Sequence, residues 1–178
     1  MAQALAAMPS VQIPDRGLIV EQLAPVGAAP EFAAGVAALQ APAETPAALN
    51  AAFEELTRTF ADIYVTYGRG NPIGLVHAVT APTAVHSILD HLPPTVWRAS
   101  HDALWHVCAA LYTAYAHGKP RDDAPTGPGQ DPDVSVAKAV ASGDEHAIKL
   151  AEACLRQYRA TSAPAYLYAA SRGMYAAA

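Results

Sequence analysis

The sequence predicts an all-α protein, a bundle or array of about six or seven helices. Three observations lead there. Apolar residues recur at steps of three and four over long windows, as in Leu49, Phe53, Leu56, Phe60, Ile63 and Tyr67, which is the period of one helix face. Alanine, the best intrinsic helix former, is very abundant. No stretch alternates apolar and polar residues as a half-buried strand would. The 178 residues make one domain, or one and a tail, and are enough to bury a real core.

Residues 1–44 are rich in Ala and Pro. Arg16–Leu23 and Glu31–Leu39 could each form a short helix. The segment reads either as extended chain wrapping a helical body formed by residues 45–178 or as partly disordered where its partner surface is missing. Thr45–Tyr67 is the clearest helix: Thr45 caps it, Pro46 holds its first position, and Gly68–Gly70 ends it. Asn71 caps the next helix. Pro82 lies inside that one, so a kink or a split is expected near Ala81, with a second piece over Thr83–Leu92. Thr95–Ala116 carries Trp97, His101, Leu104, Trp105, Cys108, Leu111, Tyr112 and Tyr115 on one broad face. His117–Pro132 is a loop of Gly, Pro and Asp. Val134–Ala141 is a short helix, broken at Gly143. Asp144 then caps a long helix over Asp144–Arg159, and Ala163–Tyr175 closes the chain.

Composition narrows function. The net charge is −5 and no basic stripe appears, which argues against nucleic acid. No run of 18 apolar uncharged residues exists, so no membrane span is expected. MAQALAAMPS lacks the positive start and apolar core of a secretion signal. Cys108 and Cys154, both in apolar helical patterns, read as buried free thiols in a reducing, cytoplasmic setting. No GxGxxG, P-loop, HExxH, GxSxG or CxxC pattern is present.

The chemistry-bearing residues are mainly the seven histidines and Lys149. In Gly143–Leu155, His146 and Lys149 are three apart on one face of a helix start. A neutral imidazole is a common metal ligand, and a buried lysine loses its proton more easily. The alternative reading pairs Lys149 with Glu145 or Glu152 on a solvated face. His77 lies inside an apolar helix, two residues before the proline-kink segment. It is either a site residue or a buried histidine bonded to a carbonyl. His101 points into the body with Leu104, Trp105 and Cys108, whereas His106 lies about 140° further round. His86 is about 180° from His77 on an ideal helix, so the two cannot share a site unless Pro82 rotates one. His91 and His117 sit at helix ends, where histidine helps satisfy terminal carbonyls.

Two segments, NPIGLVHAVTAPTAV at 71–85 and GDEHAIKLAEACLRQY at 143–158, resemble the C-terminal part of the questin oxidase-like family. The resemblance covers roughly residues 55–172. It implies an oxidoreductase of oxygenase type acting on an aromatic substrate of polyketide or anthraquinone kind. It further implies a non-haem Fe(II) site with several histidine ligands and a lysine bearing a CO2-derived carboxylate. By matching motifs, Lys149 would be that lysine, with His77 and His146 as imidazole ligands and His101 as a further candidate. Imidazole and carboxylate oxygen suit iron. Asn71 departs from the histidine expected before this proline. The family's remaining ligands lie in a helical N-terminal half absent from these residues, so a second chain or a homo-oligomer is expected to complete the site, beside an apolar patch near His77 and the 144–155 face. NADPH stays open, without a dinucleotide fingerprint to argue for it. The reading of another class is a truncated relative that no longer catalyses and serves as a helical binding or assembly module.

Overall fold

A computed structural model describes residues 1–123 and 129–172. Among these residues there are nine α-helices and no strand, as the apolar periodicity requires. They are α1 (Ala2–Ala6), α2 (Ile19–Ala28), α3 (Pro30–Ala37), α4 (Pro46–Tyr67), α5 (Pro72–His86), α6 (Pro94–Tyr115), α7 (Pro132–Ser142), α8 (Glu145–Thr161) and α9 (Pro164–Ser171). A 3-10 turn, Leu89–His91, links α5 to α6. Among the described residues no helix is long and apolar enough to cross a membrane.

The expected caps are formed. Thr45 Oγ1 accepts from the Ala48 amide at 3.3 Å, and Asn71 Oδ1 from the Gly74 amide at 2.9 Å. Asp144 Oδ1 accepts from the His146 and Ala147 amides at 2.8 and 3.0 Å. Each satisfies amides that a helix start leaves without a carbonyl. Gly143 ends α7 at φ 65°, in the left-handed region where glycine carries no penalty.

α4 is the hub, packed against α5, α6 and α9; α8 packs on α5, α7 and α9. Leu56, Phe60 and Tyr64 of α4 share one core with Leu75 and Val79 of α5, Cys108 and Leu111 of α6, Leu150 and Cys154 of α8 and Tyr166 of α9. The stripe on α4 divides between two cores: Leu49 and Phe53 pack with Leu89 and Trp97, and Leu104 is only partly buried beside them. Inside the main core Thr57 donates to the Glu54 carbonyl at 3.0 Å, so the Tyr166 hydroxyl, 2.9 Å away, donates to Thr57.

Residues 1–44 form three short helices, α2 and α3 overlapping the two allowed by the sequence, rather than a mainly extended or disordered segment. Leu5, Met8, Val26 and Phe32 belong to the main core. Tyr115 donates to Gln22 Oε1 at 2.7 Å, and the Trp105 indole donates to the Val36 carbonyl at 2.9 Å. The segment folds because α2 and α3 bury their apolar sides on α6.

Pro82 does not split α5, which continues to His86 as one helix. A proline leaves the carbonyl four residues earlier without its amide donor. That carbonyl is Ala78, and the buried Cys108 thiol of α6 donates to it at 3.5 Å. Gly74 lets the same two helices close up: a Cβ there would lie 2.5 Å from the Tyr115 ring. The last helix is assigned over Pro164–Ser171; the expected members Met174 and Tyr175 lie outside the described residues.

Candidate functional site

The two segments singled out in the sequence are packed against each other. α5 carries His77 and α8 carries His146, and their ring centroids are 5.5 Å apart with the planes tilted by 59°. His77 Nδ1 lies 2.7 Å from the Ile73 carbonyl. A carbonyl only accepts, so Nδ1 carries the proton and Nε2 is left as the lone-pair nitrogen. His146 Nδ1 stands 3.7 Å from Asp144 Oδ1, and its side chain is 22% exposed. The cap that starts α8 therefore also faces the His146 ring. Asp144 is held below the usual carboxylate range, first by the Ala147 amide and then by the His146 amide and the His146 side chain.

Lys149 takes the other course that the sequence left open. Its Nζ donates to Glu145 Oε2 at 2.6 Å, one turn back, with the lysine side chain 58% exposed. The hydrogen bond to Lys149 is the main reason that the Glu145 carboxyl is lowered. A carbamate needs a lysine withdrawn from water, whereas Lys149 is engaged by Glu145 on a solvated face. His101 does not join the pair either. It lies on α6, buried, with its ring edge against Phe53 at 5.5 Å.

The four residues implied as iron ligands are thus not gathered. Two imidazoles are adjacent, Lys149 faces solvent, and His101 is in a different part of the fold. Among the described residues no group of three or more His, Cys, Asp or Glu side chains is placed to hold a metal ion. The donors brought together here do not fit a complete iron centre.

About one helical turn along from the histidine pair, the seam between α5 and α8 opens into a groove of about 500 Å³, whose lining includes neither imidazole. Its walls are mainly apolar: Thr80, Ala81 and Ala84 from α5, Ile148 and Ala153 from α8, with Lys149, Glu152 and Arg156 among the lining. Arg156 pairs with Glu152, so that cation is already engaged. Ile148 and Ile73 are 41% and 43% exposed. This is the face on which an apolar patch was expected. Residues 1–44 pack on α6 and contribute nothing to the groove lining.

The sequence reading missed a second polar cluster at the far end of the same seam. His86 Nε2 lies 3.0 Å from Asn50 Oδ1 of α4, and Gln157 Nε2 of α8 lies 3.1 Å from His86 Nδ1. Asn50 Nδ2 donates to Glu54, which fixes its oxygen toward His86. The imidazole is therefore held neutral, with its proton on Nε2. Burial pushes its pKa down, partly countered by Glu54 and Asp90. Its ring stacks on Phe53 at 5.8 Å. The signal was available: Gln157 follows Leu150 and Cys154 at the spacing of the buried face. As the helical rotation required, His86 and His77 do not share a site.

No family model, no curated protein and no solved structure matches this chain.

Proposed function

We propose that this chain is a portion of an oxidoreductase of the questin oxidase-like kind, of oxygenase type, acting on an aromatic small molecule. The single observation that carries the reading is the His77–His146 pair. The two segments that bear the resemblance meet there, with the imidazole rings 5.5 Å apart, and an apolar groove begins about one helical turn further along both helices, at Thr80 and Lys149. In this reading the groove takes the substrate ring against Ile148 and Ala84. The His77 Nε2 lone pair accepts the proton of a substrate hydroxyl, which makes the ring more electron-rich toward oxygen. The Ile73 carbonyl keeps His77 in the tautomer that can do this. The open side of the groove is the side that a second chain or a second copy would close, excluding water. Two free, buried thiols fit a reducing, cytoplasmic setting.

A second reading has its own observation. The Lys149–Glu145 ion pair and the exposure of Ile148 describe a solvated face with one apolar ridge, as in a non-catalytic helical binding or assembly module. One experiment separates the two. The purified chain is titrated with a hydroxyanthraquinone, followed by its visible absorbance and by oxygen uptake. The enzymatic reading expects saturable binding that Ile148→Asp abolishes, with oxygen uptake that His77→Ala removes. Binding without uptake, also after co-expression with a copurifying partner, supports the module. No saturable binding refutes both uses of the groove.

A further inference from the structure

A second cleft, of about 900 Å³, opens between residues 11–15, which lead toward α2, the turn 69–71 between α4 and α5, and residues 119–122, which follow α6. It shares no residue with the α5/α8 groove. Its size is that of a small-molecule site. The walls are connecting segments, but each is fastened. Tyr115 donates to Gln22 Oε1 at 2.7 Å, and Gln22 Nε2 donates to the Pro14 carbonyl at 3.1 Å. That relay ties residues 11–15 to α6. The Asp122 amide donates to the Thr66 carbonyl at 2.6 Å, and Asp122 Oδ2 accepts from the Arg69 amide at 3.0 Å. Those two bonds tie residues 119–122 to the end of α4.

The charges around the cleft do not balance. Arg69, Lys119 and Arg121 line it together with Asp15 and Asp122. Asp122 is matched by Arg172 at 3.7 Å, both mostly buried, and Arg69 by Asp123 at 3.7 Å. Lys119, Arg121 and Asp15 make no side-chain hydrogen bond or ion pair among the described residues. Two unpaired cations therefore stand against one unpaired carboxylate, in a chain whose net charge is −5. α5 starts at the same place: Asn71, its cap, lines the cleft, and a helix start carries partial positive charge.

We infer that this cleft binds a small organic carboxylate, a monoanion with an apolar body. The charge is specified by the excess, which one carboxylate cancels. Arg121 has the planar fork that a carboxylate accepts through both oxygens, and Lys119 supplies a rotatable donor. The body is specified by the rest of the lining, where Val11, Ile13 and Pro120 offer apolar area and Tyr67 a ring. A phosphate monoester, at about −1.5 to −2 near neutrality, would leave negative charge uncompensated beside Asp15.

The probe is benzoate, with benzamide as the same ring without the charge and acetate as the charge without the ring. Each is titrated into the full chain and followed by calorimetry and ligand-observed NMR. Benzoate should bind saturably, about fivefold more tightly than benzamide, because a charged acceptor makes the stronger hydrogen bonds. Acetate should bind more weakly than benzoate. Lys119→Gln combined with Arg121→Gln should bring benzoate down to the level of benzamide. Both side chains are exposed, so the melting midpoint should stay where it is. Asp15→Asn should tighten benzoate by about twofold, by removing a like charge, and leave benzamide unchanged. Ile148→Asp, in the α5/α8 groove, should change nothing. Equal affinity of benzoate with benzamide or with acetate overturns the proposal. So does benzoate binding that survives the double substitution, or that Asp15→Asn weakens, or that Ile148→Asp removes, or the absence of saturable binding.

Discussion

Cys108→Ala tests how α5 tolerates Pro82. The thiol is fully buried and donates to the Ala78 carbonyl that the proline has orphaned. Two terms follow from its removal. Deleting one buried heavy atom leaves a small void, on the order of 1 kcal/mol. Leaving the buried carbonyl without a donor adds about 1–2 kcal/mol, the cost of an unmade hydrogen bond. The expected sum is about 2–3 kcal/mol, or roughly 4–12 °C in melting midpoint for a chain of this size. The second variant is Pro82→Ala, which returns an amide to the Ala78 carbonyl. In that background Cys108→Ala should cost only the void, about 1 kcal/mol. Urea unfolding of the four proteins then gives a coupling energy of about 1–2 kcal/mol. Equal costs of Cys108→Ala in the two backgrounds would refute the reasoning, since the thiol would then contribute packing alone.

Other expected outcomes follow from single contacts. Phe60→Ala should destabilise by about 3–5 kcal/mol in urea unfolding, as Phe60 is fully buried in the main core. Gly74→Ala should cost about 1–3 kcal/mol, since its Cβ would meet the buried Tyr115 ring and overpack the α5–α6 contact. Lys149→Met should leave the melting midpoint unchanged within error, because its ion pair is solvated; a large loss would mean the lysine is engaged elsewhere. Acid should weaken the fold in two steps. The folded-state pKa of His86 is depressed below its ordinary value of 6.5. The unfolded chain therefore takes up that proton first, and stability present above about pH 6.5 is lost as pH falls through the folded value. Asp144 and Glu145 are also depressed, so their contribution is present near neutrality and lost in the carboxylate range. Melting midpoints between pH 7 and 5 should fall in the wild type, and fall less in His86→Gln.

The helices were legible because each carried its own local signals. The α4 stripe, the caps at Thr45, Asn71 and Asp144, and the break at Gly143 are properties of neighbouring residues. Pro82 does not split α5 for a definite reason. Its helix-breaking effect is local, but the thiol that relieves it comes from α6, 26 residues further on in the chain numbering, from Cys108. Residues 1–44 looked loose because their short helices gain stability only from the α6 surface they cover. The candidate site was half legible. Helical phase put His77 and His86 apart, and resemblance brought His77 and His146 together, as observed. Lys149 had two partners in reach on the sequence, and the choice between burial and Glu145 depends on how α8 rolls against α5. The tie between α6 and the segment joining α3 to α4 was not legible, since Arg98 reaches the Pro42 carbonyl across 56 positions.

The central claim is that the α5/α8 seam, with the His77–His146 pair about one helical turn from the groove, is where this protein meets its ligand. The direct measurement is a long-range proton–nitrogen NMR spectrum of the seven histidine side chains during titration with a hydroxyanthraquinone. The two resonance sets that His77→Ala and His146→Ala remove should shift together and saturate together, with His91 and His117 unmoved. Shifts confined to other histidines, or none at saturating ligand, would contradict the account.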